Sequence, residues 1–342
     1  MKRHLNTLFV TSQGTYLAKQ GECAEVRIDG SAPRLVPLHT LEGIVCFGQV
    51  SMSPPLMAAC AERDVSISFL SERGRFLARV CGPVAGNVLL RREQYRRADL
   101  PEATLGIARA VVLGKLANAR RVLLRAQRDH TEQECAELRA AGEGLGRCIE
   151  SALACPGLDA LRGIEGEGAA HYFGVFGMLI LAEEDDFAFA GRNRRPPLDP
   201  VNCLLSFVYT LLMHDVRSAL ESVGLDPCVG FLHRDRPGRA GLALDLMEEF
   251  RAPFADRLVL SLVNRRQLRA KDFTRTEQGA VLLRDSARKE VLVAYQTRKQ
   301  EEMQHPFLKE RMTLGRAFHI QALLLARHLR GDLDGYPAFV WR

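Results

Sequence analysis

The sequence predicts an α+β fold, with an N-terminal β-strand domain at residues 1–90 and a larger, mainly α-helical domain at residues 91–342. Short alternating apolar segments and glycine-containing turns fill the first ninety residues. Beyond them alanine, leucine, arginine and glutamate dominate, and apolar residues recur at helical spacing. The length of 342 residues also exceeds the usual size of one domain. We therefore expect two separate cores.

The elements of the N-terminal domain follow from local patterns. A short helix is expected from Ser53 and Pro54, which suit a helix cap and a first turn. Two predicted strands, residues 65–69 and 75–80, flank a loop that contains Gly74, which predicts a hairpin. The predicted strands are residues 6–10, 24–28, 44–47, 65–69 and 75–80.

One helix of the second domain can be bounded closely. Asp199 is suited to the N-cap, Pro200 to the first turn, and Gly224 ends the helix. One apolar stripe follows from helical spacing: Val201, Leu204, Leu205, Val208 and Leu212. Three polar residues share the helix: Asn202, Ser206 and His214. Spacing alone favours exposed or locally satisfied side chains over a functional role for them.

The composition excludes several classes of protein. With 47% hydrophobic and 26% charged residues, the chain is unlike disordered, collagen-like or membrane proteins. No apolar run approaches the roughly 20 uninterrupted residues of a membrane helix, and the start lacks an apolar signal-type segment. We expect a cytoplasmic protein that does not bind a membrane. Nine cysteines without zinc-knuckle spacing predict reduced thiols, mostly in the core.

Basic residues concentrate in two stretches. Residues 91–128 hold ten Arg or Lys against three acids, and residues 257–299 hold eleven against four. Such stretches favour a polyanion such as a nucleic acid backbone, because bound Lys and Arg release its condensed counterions. A solvated helical face rich in arginine is the alternative for either stretch alone.

A glycine-rich segment at residues 163–172 carries the first candidate acid, Glu165. Each glycine lowers helix stability by roughly 1 kcal/mol relative to alanine, so close approach of a ligand or backbone is a plausible reason for them. The alternative is that Glu165 and Glu167 are first-turn carboxylates favoured by the helix dipole. The segment alone leaves both interpretations open.

A second group of candidates lies at residues 231–251. His233 follows an apolar run and precedes a loop rich in Arg, Pro and Gly, so we expect it at the exit of a strand. A helical pattern follows and is ended or kinked by Pro253. At about 100° per residue, Asp245, Glu248 and Glu249 are expected to cluster on one helix face.

Clustered carboxylates repel one another, so such a cluster persists most readily when it is solvated, paired with arginine or bound to a cation. Nearby arginines keep the pairing option open: Arg234, Arg236 and Arg239. Oxygen ligands with one imidazole would favour Mn²⁺ or Mg²⁺ over structural zinc. Phosphodiester chemistry is one natural use of such a site.

Several short blocks follow one another in a characteristic order over nearly the whole chain. These are LNTL at 5–8, GNVLLRREQY at 86–95, GIEG at 163–166, RPPLDPVN at 195–202, FLH at 231–233, DLMEEFR at 245–251, YP at 336–337 and FVWR at 339–342. With these blocks in this order, the sequence resembles the integrase of CRISPR adaptation, the first CRISPR-associated protein, in the branch that accompanies the I-C type of interference complex.

The resemblance implies a β domain joined to a larger α-helical catalytic domain. By motif position, it places the metal-binding residues at Glu165, His233 and Glu248, and a fourth catalytic acid at Asp245. Glu167 and Glu249 become bystanders. The last ligand is Glu here where some members carry Asp, so the division of roles between Asp245 and Glu248 is open, with Glu248 preferred as ligand. His233 could alternatively shuttle a proton.

The implied activity is that of a metal-dependent DNA endonuclease and integrase. The 3′-hydroxyl of a captured double-stranded DNA fragment, the prespacer, would attack a phosphodiester at the edge of a CRISPR repeat. A family member would act as a homodimer with a small ferredoxin-like CRISPR-associated partner, two integrase dimers being bridged by one partner dimer. A DNA-repair nuclease and a non-catalytic DNA-binding scaffold are the rival interpretations.

Overall fold

The computed structural model describes residues 6–72, 74, 76–80, 82, 87–127, 132–182, 187–194 and 196–341. Some residues named from the sequence lie outside this description: Leu5, Arg73, Arg75, Cys81, Gly86, Arg128, Arg195 and Arg342. The described chain forms two compact units, and most contacts between residues lie within one unit or the other. One comprises Met1–Gly86 with Arg288–Gln300, and the other comprises Asn87–Ala287 with Glu301–Arg342. The domain bounds of 1–90 and 91–342 stay a prediction; the division by contacts groups a late segment with the early strands.

The first unit is built on two four-stranded sheets, one helix of its own and most of a later helix, residues 288–300. Its strands are β1 Asn6–Val10, β2 Tyr16–Gln20, β3 Cys23–Arg27, β4 Arg34–Pro37, β5 Leu41–Phe47, β6 Ser51–Met52, β7 Ser66–Leu70 and β8 Phe76–Val80, and its helix is α1 Pro54–Glu62. One sheet has the order β1-β5-β7-β8, with only the β7–β8 pair antiparallel. The other has the order β4-β3-β2-β6.

The five predicted strands and the α1 helix are confirmed, four of the strands within one residue at each end, whereas β5 begins at Leu41, three residues before the predicted start. Ser53 caps α1 by accepting a hydrogen bond from the Leu56 N–H, at 3.4 Å. β7 and β8 form the predicted antiparallel pair. Strands β2, β4 and β6 were missed. Residues 288–300 join the first unit: Gln296 donates its Nε2 hydrogen to the Thr7 carbonyl, at 2.8 Å.

The second unit is mainly helical. Its helices are α2 Val88–Ala98, α3 Pro101–Ala126, α4 Glu132–Leu153, α5 Leu158–Gly174, α6 Pro200–Ser222, α7 Gly241–Phe250, α8 Arg257–Asn264 and α10 Leu314–Arg330, and α9 Asp285–Gln300 begins in it. Two short hairpins, which the sequence did not predict, are β9 Phe273–Arg275 with β10 Val281–Leu283 and β11 Glu302–Gln304 with β12 Arg311–Thr313. The long α3 packs against α4, α5 and α7 and so places their residues near one another.

Helix α6 is a core element of this unit, as its apolar stripe predicts. Asp199 caps it by accepting a hydrogen bond from the Asn202 N–H, at 2.7 Å. Within the described chain, α6 is the one helix long and apolar enough to cross a membrane by length and composition, although polar residues interrupt its apolar sequence. Of its apolar window, 61% is buried inside the protein, and a core helix passes the same test.

The break after α7 is a wide helical turn. Residues Arg251–Asp256 form a π-helical segment between α7 and α8, and Pro253 lies within it. Because proline lacks an N–H, it cannot continue the α-helical bonding, and the predicted kink is confirmed.

The cysteines behave as predicted where they are described. Seven of them form no disulfide, and five of those seven are buried: Cys46, Cys60, Cys148, Cys155 and Cys203.

Candidate active site

Glu165 lies in the middle of α5, which begins at Leu158. The interpretation of Glu165 and Glu167 as first-turn acids is therefore wrong, because two helical turns precede Glu165. The helix dipole acts within the first turn and does not account for an acid there. The Glu165 carboxylate instead faces α3, where it forms an ion pair with the ammonium of Lys115.

His233 lies in a bend rather than at the end of a strand, so that part of the prediction is wrong. The loop is held by the buried carboxylate of Asp245 on α7. One oxygen, Oδ2, accepts hydrogen bonds from the N–H groups of Phe231 (2.6 Å) and Leu232 (2.9 Å). The other, Oδ1, accepts from the N–H of His233 (3.0 Å) and lies 2.6 Å from its ring Nδ1.

Two glycines allow this close approach of the loop to α7. A Cβ on Gly230 would lie 2.8 Å from the Gly241 carbonyl carbon and 2.9 Å from Asp245 Oδ2. A Cβ on Gly241 would lie 2.8 Å from the Cys228 carbonyl oxygen. Either side chain would push the loop away from the carboxylate. These glycines are features of the site that sequence reasoning missed.

With Nδ1 on Asp245, the other ring nitrogen of His233 faces Glu248. Its Nε2 lies 4.0 Å from Glu248 Oε1. The ring is 19% exposed and lines an open cavity of about 400 Å³ together with Tyr95 and Arg162. Because Asp245 is an acceptor only, Nδ1 carries a proton, and in the neutral imidazole the lone pair is left on Nε2. The site therefore offers an oriented imidazole nitrogen beside a carboxylate.

Glu248 is almost fully buried between two cations. Its Oε2 lies 2.8 Å from Lys115 Nζ, and its Oε1 lies 3.1 Å from Arg251 Nη2. Burial alone would raise the pKa of Glu248, but Arg251 and Lys115 outweigh it and lower the pKa to about 2. Glu248 is therefore ionised at neutral pH. Lys115, the one lysine in the first basic stretch, bridges Glu165 and Glu248 and was not foreseen.

Glu249 does not share the face of Asp245 and Glu248, which corrects the predicted cluster of three. One residue corresponds to about 100° of rotation, enough to turn its side chain toward the C-terminal segment. There it accepts hydrogen bonds from Tyr336 Oη (2.7 Å), the Phe339 N–H (2.7 Å) and Gln321 Nε2 (2.9 Å). Burial raises its pKa to about 8. Glu249 anchors the end of the chain.

The sequence suggested that arginines of the loop after His233 pair with the acids of α7, and the structure shows a different arginine in that role. Arg234 pairs with Asp159 at 2.7 Å rather than with the α7 acids. Arg251 supplies the pairing instead. Three carboxylates, Glu165, Asp245 and Glu248, thus meet two cations, Lys115 and Arg251, and leave an excess of negative charge around the His233 ring.

The donor set fits a divalent cation. Glu248 Oε2 is buried and accepts no hydrogen bond of good geometry, although the ammonium of Lys115 lies nearby. A second carboxylate, that of Glu165, pairs with the same ammonium of Lys115. The ring of His233 contributes Nε2, the nitrogen that does not contact Asp245. Carboxylate oxygens with one imidazole suit Mn²⁺ or Mg²⁺. Glu165, His233 and Glu248 would hold the ion, whereas both oxygens of Asp245 are already occupied.

A cavity of about 400 Å³ extends from Lys115 and Glu165 past Arg251. At its wall, the buried Asp256 accepts hydrogen bonds from Tyr209 (2.6 Å) and Tyr172 (3.1 Å). Burial raises the pKa of Asp256 to about 6. Arg192 and Arg194 also line this cavity, so its lining is basic and aromatic.

The two basic stretches meet in one groove of the second unit. The arginines that line it come from both stretches: Arg121, Arg125, Arg257 and Arg265. Leu179 and Leu260 also line it, and the guanidinium of Arg257 lies 5.7 Å from the ring centroid of Trp341. Convergence of residues that are more than a hundred positions apart favours the polyanion interpretation over two unrelated solvated faces.

Comparison with known proteins agrees with the resemblance found in the sequence. A model of the family described as CRISPR associated protein Cas1 matches residues 8–297. The CRISPR-associated endonuclease Cas1 1 of Chlorobaculum tepidum is 58% identical over 343 residues, covering 100% of both chains. This chain belongs to the Cas1 family. The prediction of an endonuclease is thereby confirmed at the level of the family.

Solved structures with low identity to this chain share the Cas1 fold. A casposase bound to an integration product has a TM-score of 0.85 and 21% identity, covering 99% of this chain and 95% of that one. A Cas6-RT-Cas1–Cas2 complex matches with a TM-score of 0.83 and 23% identity, and this chain spans 36% of the matching chain. The predicted fold class, a β-strand domain followed by a mainly helical domain, is confirmed.

Proposed function

We propose that the chain is a metal-dependent DNA endonuclease and integrase of CRISPR adaptation, with Glu165, His233 and Glu248 as metal ligands. The observation that carries the proposal is the orientation of His233 by Asp245, which leaves Nε2 facing the buried Glu248 carboxylate. Family membership supports the nuclease class, and the site supports the ligand set. The I-C branch rests on the sequence motifs alone.

The reaction is a transesterification at a DNA phosphodiester. The 3′-hydroxyl oxygen of a captured fragment forms a bond to phosphorus at the edge of the repeat, and the bond from phosphorus to the departing 3′-oxygen breaks. The attacking hydroxyl loses a proton and the departing oxygen gains one. A divalent cation, Mn²⁺ or Mg²⁺, supplies Lewis acidity to the phosphodiester when bound. Water in place of the 3′-hydroxyl gives nuclease activity at the same site.

Three residues around the proposed metal ligands orient His233 and keep Glu248 ionised. Asp245 fixes the ring of His233 through Nδ1 and holds the loop through three backbone N–H groups. Lys115 and Arg251 keep Glu248 ionised and add positive charge beside the phosphate. Asp245 is thus a positioning residue, and Glu248 is the ligand of the pair. The contacts of Asp245 and the burial of Glu248 support this division of roles.

DNA binding is assigned to the arginine groove formed by Arg121, Arg125, Arg257 and Arg265. Guanidinium groups bind phosphates of the backbone without reading its sequence. The substrates are a double-stranded prespacer and the CRISPR repeat. By analogy with the Cas6-RT-Cas1–Cas2 complex, the partner is a Cas2 protein. The resemblance found in the sequence implies that this partner is small and ferredoxin-like and that this chain binds it as a homodimer. The complex would act in the cytoplasm.

The test is a strand-transfer assay with the purified chain, its Cas2 partner, a prespacer and a plasmid that carries the repeat. Glu165→Gln, His233→Gln and Glu248→Gln should each lower Mn²⁺-dependent strand transfer at least about a hundredfold, while duplex binding stays within a few-fold. Glu137→Gln, an exposed acid on α4, is the matched control and should keep full activity.

The outcomes separate the rival functions. Unchanged strand transfer in the three site variants overturns the catalytic proposal and favours a DNA-binding scaffold. Equal integration into a plasmid without a repeat, with the same loss in the variants, favours a DNA-repair nuclease.

A further inference from the structure

A second group of metal-ligating side chains lies between α4 and α5, which pack against each other. Cys148 projects from α4, and Glu167 and His171 lie one turn apart on α5. Their ligand atoms, the thiol sulfur, a carboxylate oxygen and a ring nitrogen, all lie within 4.8 Å of one another. Among the described residues, this is the one such compact group of three. It shares no residue with the site of Glu165, His233 and Glu248.

The imidazole of His171 is placed by a glycine on the opposite helix. A Cβ on Gly144 would lie 2.7 Å from His171 Cε1 and Nε2, so a side chain there would displace the ring from this position. Gly144 is one helical turn before Cys148, so the ring is held against α4 near the thiol. His171 Nε2 lies 3.7 Å from Glu167 Oε1.

These distances suit tetrahedral coordination. Zinc binds nitrogen at about 2.0 Å and sulfur at about 2.3 Å, which places neighbouring ligand atoms of this group about 3.3 to 3.6 Å apart. The separation of 3.7 Å between His171 Nε2 and Glu167 Oε1 is close to that range. The other two pairs of ligand atoms lie within 4.8 Å.

The chemistry of the donors selects a borderline cation. One thiolate, one imidazole and one carboxylate favour Zn²⁺ over Mg²⁺, which prefers oxygen ligands. Cys148 is buried and Glu167 is exposed, so the group opens to solvent on the Glu167 side. A water molecule can complete the coordination there. Binding requires the thiol to lose its proton, which the cation promotes.

We propose that Cys148, Glu167 and His171 form a zinc site that links α4 to α5. The site is distinct from the Mn²⁺ or Mg²⁺ centre in residues and in ligand type. Because α5 also carries Glu165, a link at Glu167 and His171 stabilises the helix on which that carboxylate stands. Zinc bound to the folded chain raises its stability by mass action.

Cobalt(II) is the probe, because a cobalt–thiolate bond gives a ligand-to-metal absorption band that oxygen and nitrogen ligands lack. Titration of the full-length chain should give this band with one equivalent of Co²⁺, and Zn²⁺ should abolish it. Cys148→Ser should remove the band, and His171→Gln and Gly144→Ala should weaken Co²⁺ binding at least about tenfold. Cys228→Ser, at an exposed thiol, should leave the band unchanged.

A double variant separates this site from the catalytic proposal. Glu165→Gln with His233→Gln should keep the thiolate band whether or not the chain is a nuclease. Circular dichroism confirms folding of each variant. Absence of the band in the parent protein, or its persistence in Cys148→Ser, overturns the zinc site. A Zn²⁺-induced rise in unfolding temperature that is equal in the parent and in Cys148→Ser overturns it as well.

Discussion

The buried carboxylate of Asp245 holds His233 at two points, its backbone N–H at 3.0 Å and its ring Nδ1 at 2.6 Å. The same carboxylate accepts the N–H groups of the two preceding residues. One side chain therefore sets both the path of the loop and the orientation of the ring. The direction of Nε2 toward Glu248 is a consequence of that contact.

Asp245→Asn should impair strand transfer without removing a metal ligand. The amide nitrogen cannot accept a hydrogen bond, so at least one backbone N–H or the ring Nδ1 loses its partner. We expect Mn²⁺ affinity and activity to fall about ten- to a hundredfold, as for other residues that orient a ligand. The measurement is the Mn²⁺ dependence of strand transfer. Parent-like activity at every Mn²⁺ concentration would contradict the positioning role.

Lys115→Met should tighten metal binding and destabilise the metal-free protein. The ammonium bridges Glu165 and Glu248, so it competes with a cation for the same oxygens. Its removal leaves a buried carboxylate less compensated, at a cost of about 3 kcal/mol in the free energy of unfolding. Thermal unfolding with and without Mn²⁺ measures both effects. Lys271→Met, at an exposed lysine, is the control; weaker Mn²⁺ binding in Lys115→Met would sink the interpretation.

Asp256→Asn should change how stability depends on pH. Burial raises the pKa of Asp256 from 3.8 to about 6, so the folded state binds this proton more tightly than the unfolded state does. The contribution of Asp256 to the stability of the parent protein is therefore lost as pH rises from about 4 to 6, by about 1.4 kcal/mol per unit. The variant lacks this loss. Urea unfolding across that window checks it, with Asp235→Asn as an exposed control; parallel pH curves for Asp256→Asn and its parent would refute it.

The combined change Arg125→Gln with Arg265→Gln should weaken DNA binding through the groove. If each arginine neutralises one phosphate, the slope of log affinity against log salt should decrease in magnitude by about 2. The loss should be similar for unrelated DNA sequences, because phosphate contacts carry no sequence information. Fluorescence anisotropy at several salt concentrations measures it. Arg139→Gln, an exposed arginine on α4, is the control, and an unchanged salt slope in the double variant would remove the groove from the account.

Local features of the fold were predictable because their causes are local. The cap at Asp199, the kink at Pro253 and the alternation of apolar with polar residues at 24–28 each depend on a few neighbouring residues. Strands such as β4 were missed because their pattern is short and largely exposed. The association of residues 288–300 with the first unit depends on contacts across most of the chain, which a local pattern does not contain.

The candidate site was predictable from motif order, and its internal arrangement was not. The resemblance placed Glu165, His233, Asp245 and Glu248, but spacing on α7 grouped Glu249 with them. The contacts with Gln321, Tyr336 and Phe339 show that Glu249 turns away. Lys115 lies on a different helix with no motif around it, so nothing in the sequence links it to the acids.

The location of bound Mn²⁺ tests the central claim most directly. Anomalous scattering from crystals of the parent protein soaked in Mn²⁺ should give a peak within bonding distance of Glu165, His233 Nε2 and Glu248, with Asp245 outside it. The peak should be absent in His233→Gln crystals soaked at the same subsaturating concentration. A peak at Asp245 but not at Glu248, or no peak among these residues in the parent protein, would contradict the account.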